Sequence, residues 1–138
     1  MDALTTPYET IGGSAVVAAI VDRFYDLMDE DPAYAEVRAL HGADLGPIKD
    51  GLAQFLNGWL GGPKDWFDKG LCMRSLHMPM AISGEAARQW AEAMTRAIAD
   101  EPGIDDGLKV AMARRLAQIA LSMANRPAAP ATEASPAS

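Results

Sequence analysis

The sequence is poor in cysteine and in basic residues. It has one cysteine, Cys72, among 138 residues, so no intramolecular disulfide can form and a zinc site built on two or four cysteines is excluded. Cysteine usage of this kind fits a reducing compartment, and we expect a cytoplasmic protein. Lysine and arginine number 12 against 19 aspartates and glutamates, giving a formal net charge of -7, which disfavours nucleic acid as a partner.

Long apolar runs and strand patterns are also missing. No stretch approaches the roughly 20 apolar residues that cross a bilayer, so no membrane association is expected. Residues 1–9 carry no basic region followed by an apolar run, which argues against a signal peptide. No segment of four or more residues alternates cleanly between β-branched and polar side chains. The chain still has 49% hydrophobic residues, enough for the core of one globular domain.

Helical periodicity dominates what is present. Apolar residues recur at the spacing of one helix face, and glycine or proline interrupts each run. Ser14 and Ser83 are the predicted N-caps, and residues 64–72 are predicted to be irregular. The pattern predicts helices over about 14–29, 32–40, 45–60, 73–77, 83–101 and 108–125.

These elements predict an all-α domain over residues 1–126. The remaining residues, 127–138, are rich in proline, alanine and serine and lack any apolar period. Such composition cannot build a packed core, so we expect a disordered tail there.

The chain has two histidines, His41 and His77. His77 lies in an almost wholly apolar segment, residues 76–82, where an imidazole without a partner would be costly to bury. A metal ion would satisfy the ring, and so would a backbone carbonyl, which is the more common arrangement. The residues alone leave both open.

Three further polar groups share the apolar context. Tyr25 and Trp90 lie on the apolar faces of their predicted helices, and each carries a donor that needs a partner when buried. Together with His41 they could converge on one small polar guest, or they could be unrelated core residues. No carboxylate pair, Ser/His/Asp set or phosphate loop offers another chemistry, and an all-α interaction module without a ligand is the plain alternative.

The order of several segments changes this balance. The chain resembles the truncated haemoglobins of bacteria, specifically group II, from about Tyr8 to Pro127. The resemblance implies a two-over-two helical sandwich around a haem b group. The segments that carry it are YETIGG at 8–13, VDRFY at 21–25, FLNGWLGGP at 55–63, MRSLHMP at 73–79 and RQW at 88–90.

The resemblance also implies roles for single residues. His77 corresponds to the proximal iron ligand, while Tyr25 and Trp90 correspond to residues that face the ligand on the distal side. His41 corresponds to a distal pocket position that carries Tyr, His or Phe in the family. The remaining expected haem-pocket residues are Leu45, Ile48, Leu52, Phe55 and Arg74.

Two positions depart from the family pattern. Many relatives carry a basic residue where this chain has Gly51, and that residue pairs with a haem propionate. Lys49 is a possible substitute, although it points about 100° or more round the helix. Leu76 also replaces a basic residue of the family, so Arg74 alone remains as a propionate partner. Haem retention is therefore expected to be weaker, or to rest more on the apolar walls.

These residues predict tight oxygen binding with slow release. Oxygen held at ferrous iron takes on partial negative charge, which donors from Tyr25, Trp90 and His41 would stabilise in an apolar pocket. The alternative is a redox enzyme at the same haem, active on nitric oxide or peroxide, with His41 as its acid–base group. The expected partners are oxygen or nitric oxide and an unidentified reductase, with the protein a monomer or homodimer.

Overall fold

The computed structural model describes residues 6–41, 45–69 and 82–124, and these ranges are helical without any β-strand. A 3₁₀ turn spans Pro32–Tyr34. The α-helices are α1 (Pro7–Ile11), α2 (Ser14–Glu30), α3 (Ala35–Ala39), α4 (Gly46–Trp59), α5 (Asp65–Asp68), α6 (Gly84–Ala99) and α7 (Asp106–Ser122). The predicted all-α class is confirmed, whereas the predicted 73–77 helix and the 127–138 tail lie outside the described residues.

The N-termini of the long helices follow the sequence in one case and depart from it in another. Ser83 caps α6 as predicted, since its hydroxyl accepts a hydrogen bond of 3.0 Å from the Ala86 N–H. The predicted cap at Ser14 is wrong. Gly13 is the N-cap of α2, with a φ of 76° and no side-chain hydrogen bond, and Ser14 is the first helical residue. Gly12 and Gly13 both have a positive φ and form the turn before α2. The helix therefore begins at Ser14, one residue earlier than it would if Ser14 were the cap.

Two short helices were not expected. The first, α1, begins with a capping box in which the Thr6 hydroxyl accepts from the Glu9 N–H while the Glu9 carboxylate accepts from the Thr6 N–H. The second, α5, spans four residues inside the stretch predicted to be irregular. Both are too short to show an apolar period, so periodicity could not reveal them.

The long helices enclose one core. α2 packs against both α4 and α6, and α6 packs against α7. Phe24 and Tyr34 are among the largest fully buried side chains of that core. α3 packs against α2 and α6 near the start of α6, so the chain that follows α2 is held against both helices. Within the described ranges, no helix is long and apolar enough to cross a membrane.

Candidate functional site

A cavity of about 230 Å³ lies between α2, α3, α4, α6 and α7. Its wall is almost entirely aliphatic or aromatic. The lining residues are Tyr25, Val37, Leu40, His41, Ile48, Gly51, Leu52, Phe55, Trp66, Ile82, Ala86, Ala87, Trp90, Leu116, Ile119, Ala120 and Met123. Among the described residues that line it, the polar side-chain groups belong to Tyr25, His41 and Trp90.

Six residues singled out from the sequence meet at this cavity: Tyr25, His41, Ile48, Leu52, Phe55 and Trp90. Leu45, named with them, is not on the wall and packs against the core as a partly buried residue instead. His77 and Arg74 lie outside the described residues. The structure therefore brings the expected distal residues together and leaves the expected proximal residues as predictions.

The sequence did not single out the far side of the cavity. α7 contributes Leu116, Ile119 and Ala120, and α6 contributes Ala86 and Ala87. The two alanines leave room that larger side chains would fill. The apolar stripes of both helices were visible in the sequence, but a stripe that lines a cavity has the same period as one that fills a core.

Tyr25 contributes a buried phenol ring to the cavity wall. It is 2% exposed, and its ring makes edge-to-face contacts with Phe24 at 4.8 Å and with His41 at 5.6 Å between centroids. Burial raises the pKa of the Tyr25 hydroxyl well above its ordinary value, although the positive charge of Arg38 opposes the shift. The hydroxyl therefore keeps its proton and acts as a hydrogen-bond donor.

Trp90 reaches the same cavity from α6. Its ring packs edge-to-face on Phe24, 5.0 Å between centroids, so Phe24 fixes both Tyr25 and Trp90. Among the described residues, no hydrogen bond is found for the Trp90 indole N–H or for the Tyr25 hydroxyl. Tyr25 is buried and Trp90 is partly buried, and two donors left open at one apolar cavity point to a guest that accepts from them.

His41 follows α3 and is held by that helix. Its Nδ1 lies 2.9 Å from the Val37 carbonyl oxygen. A carbonyl only accepts, so Nδ1 carries the proton and donates it. In the neutral ring Nε2 is then an acceptor, and it becomes a donor only when the imidazole is protonated. The geometry thus separates His41 from Tyr25 and Trp90, which are donors at every ordinary pH.

Gly51 and Lys49, the two α4 positions considered for propionate binding, both lie within the described residues. Gly51 lines the cavity, and a Cβ built on it would meet no described atom within 4 Å. Lys49 lies elsewhere, with its Nζ 3.5 Å from an Asp22 carboxylate oxygen on α2. The described ranges contain no cluster of three His, Cys, Asp or Glu side chains that could hold a metal ion alone.

The comparison with known proteins agrees with this arrangement. The family described as "Bacterial-like globin" matches residues 6–125 of the chain. A cold-adapted truncated hemoglobin from the Antarctic marine bacterium Pseudoalteromonas haloplanktis TAC125 is 35% identical, with a TM-score of 0.83, over 88% of this chain and 99% of that one. The group II 2-on-2 hemoglobin of Agrobacterium tumefaciens is 33% identical, with a TM-score of 0.84, over 91% and 99%. The group II truncated hemoglobin of Bacillus anthracis is 30% identical, with a TM-score of 0.79, over 89% and 93%.

Proposed function

Because the chain belongs to the bacterial-like globin family, has group II truncated haemoglobins as its structural relatives and therefore binds haem, we propose that it holds oxygen tightly and releases it slowly. The observation that carries the proposal is the pair of unpartnered donors, Tyr25 O–H and Trp90 N–H, at one apolar cavity. Haem, when bound, supplies the iron at which a diatomic ligand is held. The chain's own residues supply the hydrogen bonds.

The electrostatic setting strengthens those hydrogen bonds. The wall around Tyr25 and Trp90 is apolar, and a hydrogen bond in such surroundings is less screened than one in water. An oxygen ligand that gains negative charge is therefore a better acceptor here than a neutral one. Each donor contributes on the order of 1–2 kcal/mol. The two donors together would slow oxygen release by roughly thirtyfold to several hundredfold.

We assign the proximal iron ligand to His77. The support is the MRSLHMP segment at 73–79, which resembles the family's proximal segment, and the location of the other histidine, His41, beside Tyr25 on the cavity wall. His77→Ala should abolish the five-coordinate ferrous spectrum or lose haem, while His41→Ala should retain the haem. Equal loss of haem in both variants would contradict the assignment.

The walls that would hold the cofactor are mainly apolar. Ile48, Leu52 and Phe55 present one face of α4 to the cavity. Because Lys49 pairs with Asp22 and Gly51 has no side chain, neither supplies a cation at this wall. Arg74, outside the described residues, stays the proposed propionate partner.

The test of slow release is the oxygen dissociation rate, measured by stopped flow on the ferrous protein. Tyr25→Phe removes the hydroxyl and Trp90→Phe removes the indole N–H, while each keeps an aromatic ring. Each variant should release oxygen several-fold faster than wild type. The matched controls are Tyr8→Phe and Trp59→Phe, because neither residue lines the cavity. Unchanged rates in both cavity variants, or equal acceleration in the controls, would remove these donors from the ligand's surroundings.

A redox activity at the same haem is the competing function. It would need a group that exchanges protons beside the ligand, and His41 is the candidate because its ring lines the cavity next to Tyr25. Consumption of nitric oxide by the oxygenated protein, or of peroxide by the ferric protein, should then fall strongly in His41→Leu. Turnover that is independent of His41 would argue against this route.

The setting of the protein completes the proposal. We propose a cytoplasmic protein, a monomer or homodimer, that is served by a separate reductase. We also propose that the functional domain ends near residue 126, since α7 is the last described helix and ends at Ser122. Removal of residues 127–138 should leave the haem spectrum and the oxygen dissociation rate unchanged.

A further inference from the structure

One buried polar side chain has no part in the function proposed above. Gln89, on α6, is 6% exposed and precedes Trp90 in the chain. Both ends of its amide are engaged. Its Oε1 accepts from the Val37 N–H at 3.0 Å, and its Nε2 donates to Glu85 Oε2 at 3.0 Å. The first contact joins residues 52 positions apart, so it is a tertiary link rather than a helical one.

Gln89 and His41 both form hydrogen bonds with the backbone of Val37. The Val37 N–H donates to Gln89, and the Val37 carbonyl accepts from His41 Nδ1–H at 2.9 Å. α3 has only five residues, too few to fix its own position, because an isolated helix of this length is not stable. The location of the His41 ring therefore depends on what attaches α3 to its neighbours.

Other polar contacts attach the same region to α6, but at other points. The Ser83 hydroxyl bonds to the Glu36 carboxylate, and Arg96 donates to the Tyr34 hydroxyl at 3.0 Å. These contacts hold the residues at and before the start of α3. The contact from Gln89 is the one that reaches Val37, and it comes from the helix position next to Trp90.

We propose that Gln89 is a positioning residue that fixes the His41 ring in its Nδ1–H tautomer and sets its place relative to Trp90. The inference deepens the proposed function, because it rests on His41 lying beside the ligand of the haem. It identifies a residue that touches neither haem nor ligand but controls the polarity of one cavity wall.

The proposal can be tested with variants of Gln89 and of Glu85, the residue to which its amide donates. Gln89→Met keeps the length of the side chain and removes both hydrogen bonds. Gln89→Glu keeps the acceptor for Val37 but sets a second carboxylate against Glu85. The double variant Glu85→Gln/Gln89→Glu restores both contacts with the donor and acceptor exchanged between positions 85 and 89. Gln118→Met is the matched control, since Gln118 is exposed on α7.

The measurement is made on the ferrous carbon monoxide complex of the full chain, which is diamagnetic. Nitrogen–proton correlation spectra of His41 report its tautomer, and the C–O stretching frequency reports the polarity beside the ligand. Wild type, the double variant and Gln118→Met should show the Nδ1–H tautomer and one C–O band. Gln89→Met and Gln89→Glu should show a mixed or reversed tautomer, a shifted or split C–O band and a several-fold change in oxygen release.

Two results would overturn the proposal. One is a Gln89→Met protein that keeps the wild-type tautomer and C–O band. If Gln89→Met does not fold, the comparison of Gln89→Glu with the double variant decides, and a folded double variant that fails to restore the wild-type signals overturns it. The tautomer is read independently of the Tyr25 and Trp90 dissociation rates, so failure of the proposed function remains distinguishable.

Discussion

Two walls of the same cavity are held in different ways. The wall made by α3 and α6 is joined by hydrogen bonds, among them one from the Val37 N–H to the Gln89 side chain and one from the Ser83 hydroxyl to the Glu36 carboxylate. The wall made by α4 is held by aromatic packing, with Phe55 5.2 Å from Trp66 between ring centroids. Its one ion pair to α2, from Lys49, is at the surface and 3.5 Å long.

The difference follows from what each wall carries. Hydrogen bonds are directional and weaken steeply when misaligned, so a wall that presents His41 and Trp90 must be fixed in orientation. An apolar wall has only to exclude water and match a shape, and packing alone supplies that. The polar wall thus sets the chemistry of the cavity, and the apolar wall sets its volume and much of the stability.

The largest effect is expected on the apolar wall. Phe55→Ala should lower the free energy of unfolding by about 3–5 kcal/mol, because it removes a buried ring and leaves a void. Phe55 is 6% exposed, whereas its neighbour Phe67 is 40% exposed. Phe67→Ala is accordingly the control, and denaturant unfolding should show a much smaller loss. Equal losses would mean that α4 is not held by this packing.

Two glycines of α4 are expected to change the stability of the protein in opposite directions when each is replaced by alanine. A Cβ on Gly58 would lie 2.6 Å from the Phe67 ring and 3.2 Å from the Pro63 carbonyl oxygen, while a Cβ on Gly51 meets no described atom within 4 Å. Gly58→Ala should therefore cost about 1–3 kcal/mol of stability through overpacking. Gly51→Ala should add up to about 1 kcal/mol, since alanine favours the helix. Thermal unfolding of both variants checks this, and a destabilising Gly51→Ala would show that the space at the cavity wall is used.

The smallest effect on stability is expected from the protonation of hydrogen-bonded carboxylates at low pH. Hydrogen bonds from Arg88 and Gln89 lower the pKa of Glu85 from 4.5 to about 2. The Ala33 N–H, and then Arg96, likewise hold the pKa of Asp31 below its ordinary value. A lowered pKa in the folded state stabilises the protein above about pH 4.5, and this contribution is lost as the pH falls toward 2. Glu85→Gln should flatten the pH dependence of unfolding over that range. Exposed Glu30→Gln is the control, and identical profiles for wild type and Glu85→Gln would contradict the pairing.

Much of the fold could be predicted because its signals are local. Apolar spacing predicted the long helices, and a serine before a charged first turn predicted the cap at Ser83. The capping box at Thr6 and Glu9 was equally readable, and α1 was missed because its five residues show no period. At Ser14, two glycines override the cap that the residue type suggests.

The site was less predictable because its geometry is tertiary. Resemblance to a family, rather than spacing, indicated that Tyr25, His41 and Trp90 belong together. The tautomer of His41 depends on a carbonyl four residues away, and the place of that carbonyl depends on Gln89. A single glutamine in an amphipathic helix has no pattern of its own, so its link to Val37 was invisible in the sequence.

Whether the donors of Tyr25 and Trp90 govern ligand release can be read from the oxygen dissociation rate of one further variant. The double variant Tyr25→Phe/Trp90→Phe removes both donors and keeps aromatic rings in contact with Phe24. Its ferrous form should release oxygen roughly thirtyfold to several hundredfold faster than wild type, corresponding to about 1–2 kcal/mol for each lost hydrogen bond. A rate within twofold of wild type, in a double variant that binds haem normally, would show that these two donors do not hold the ligand.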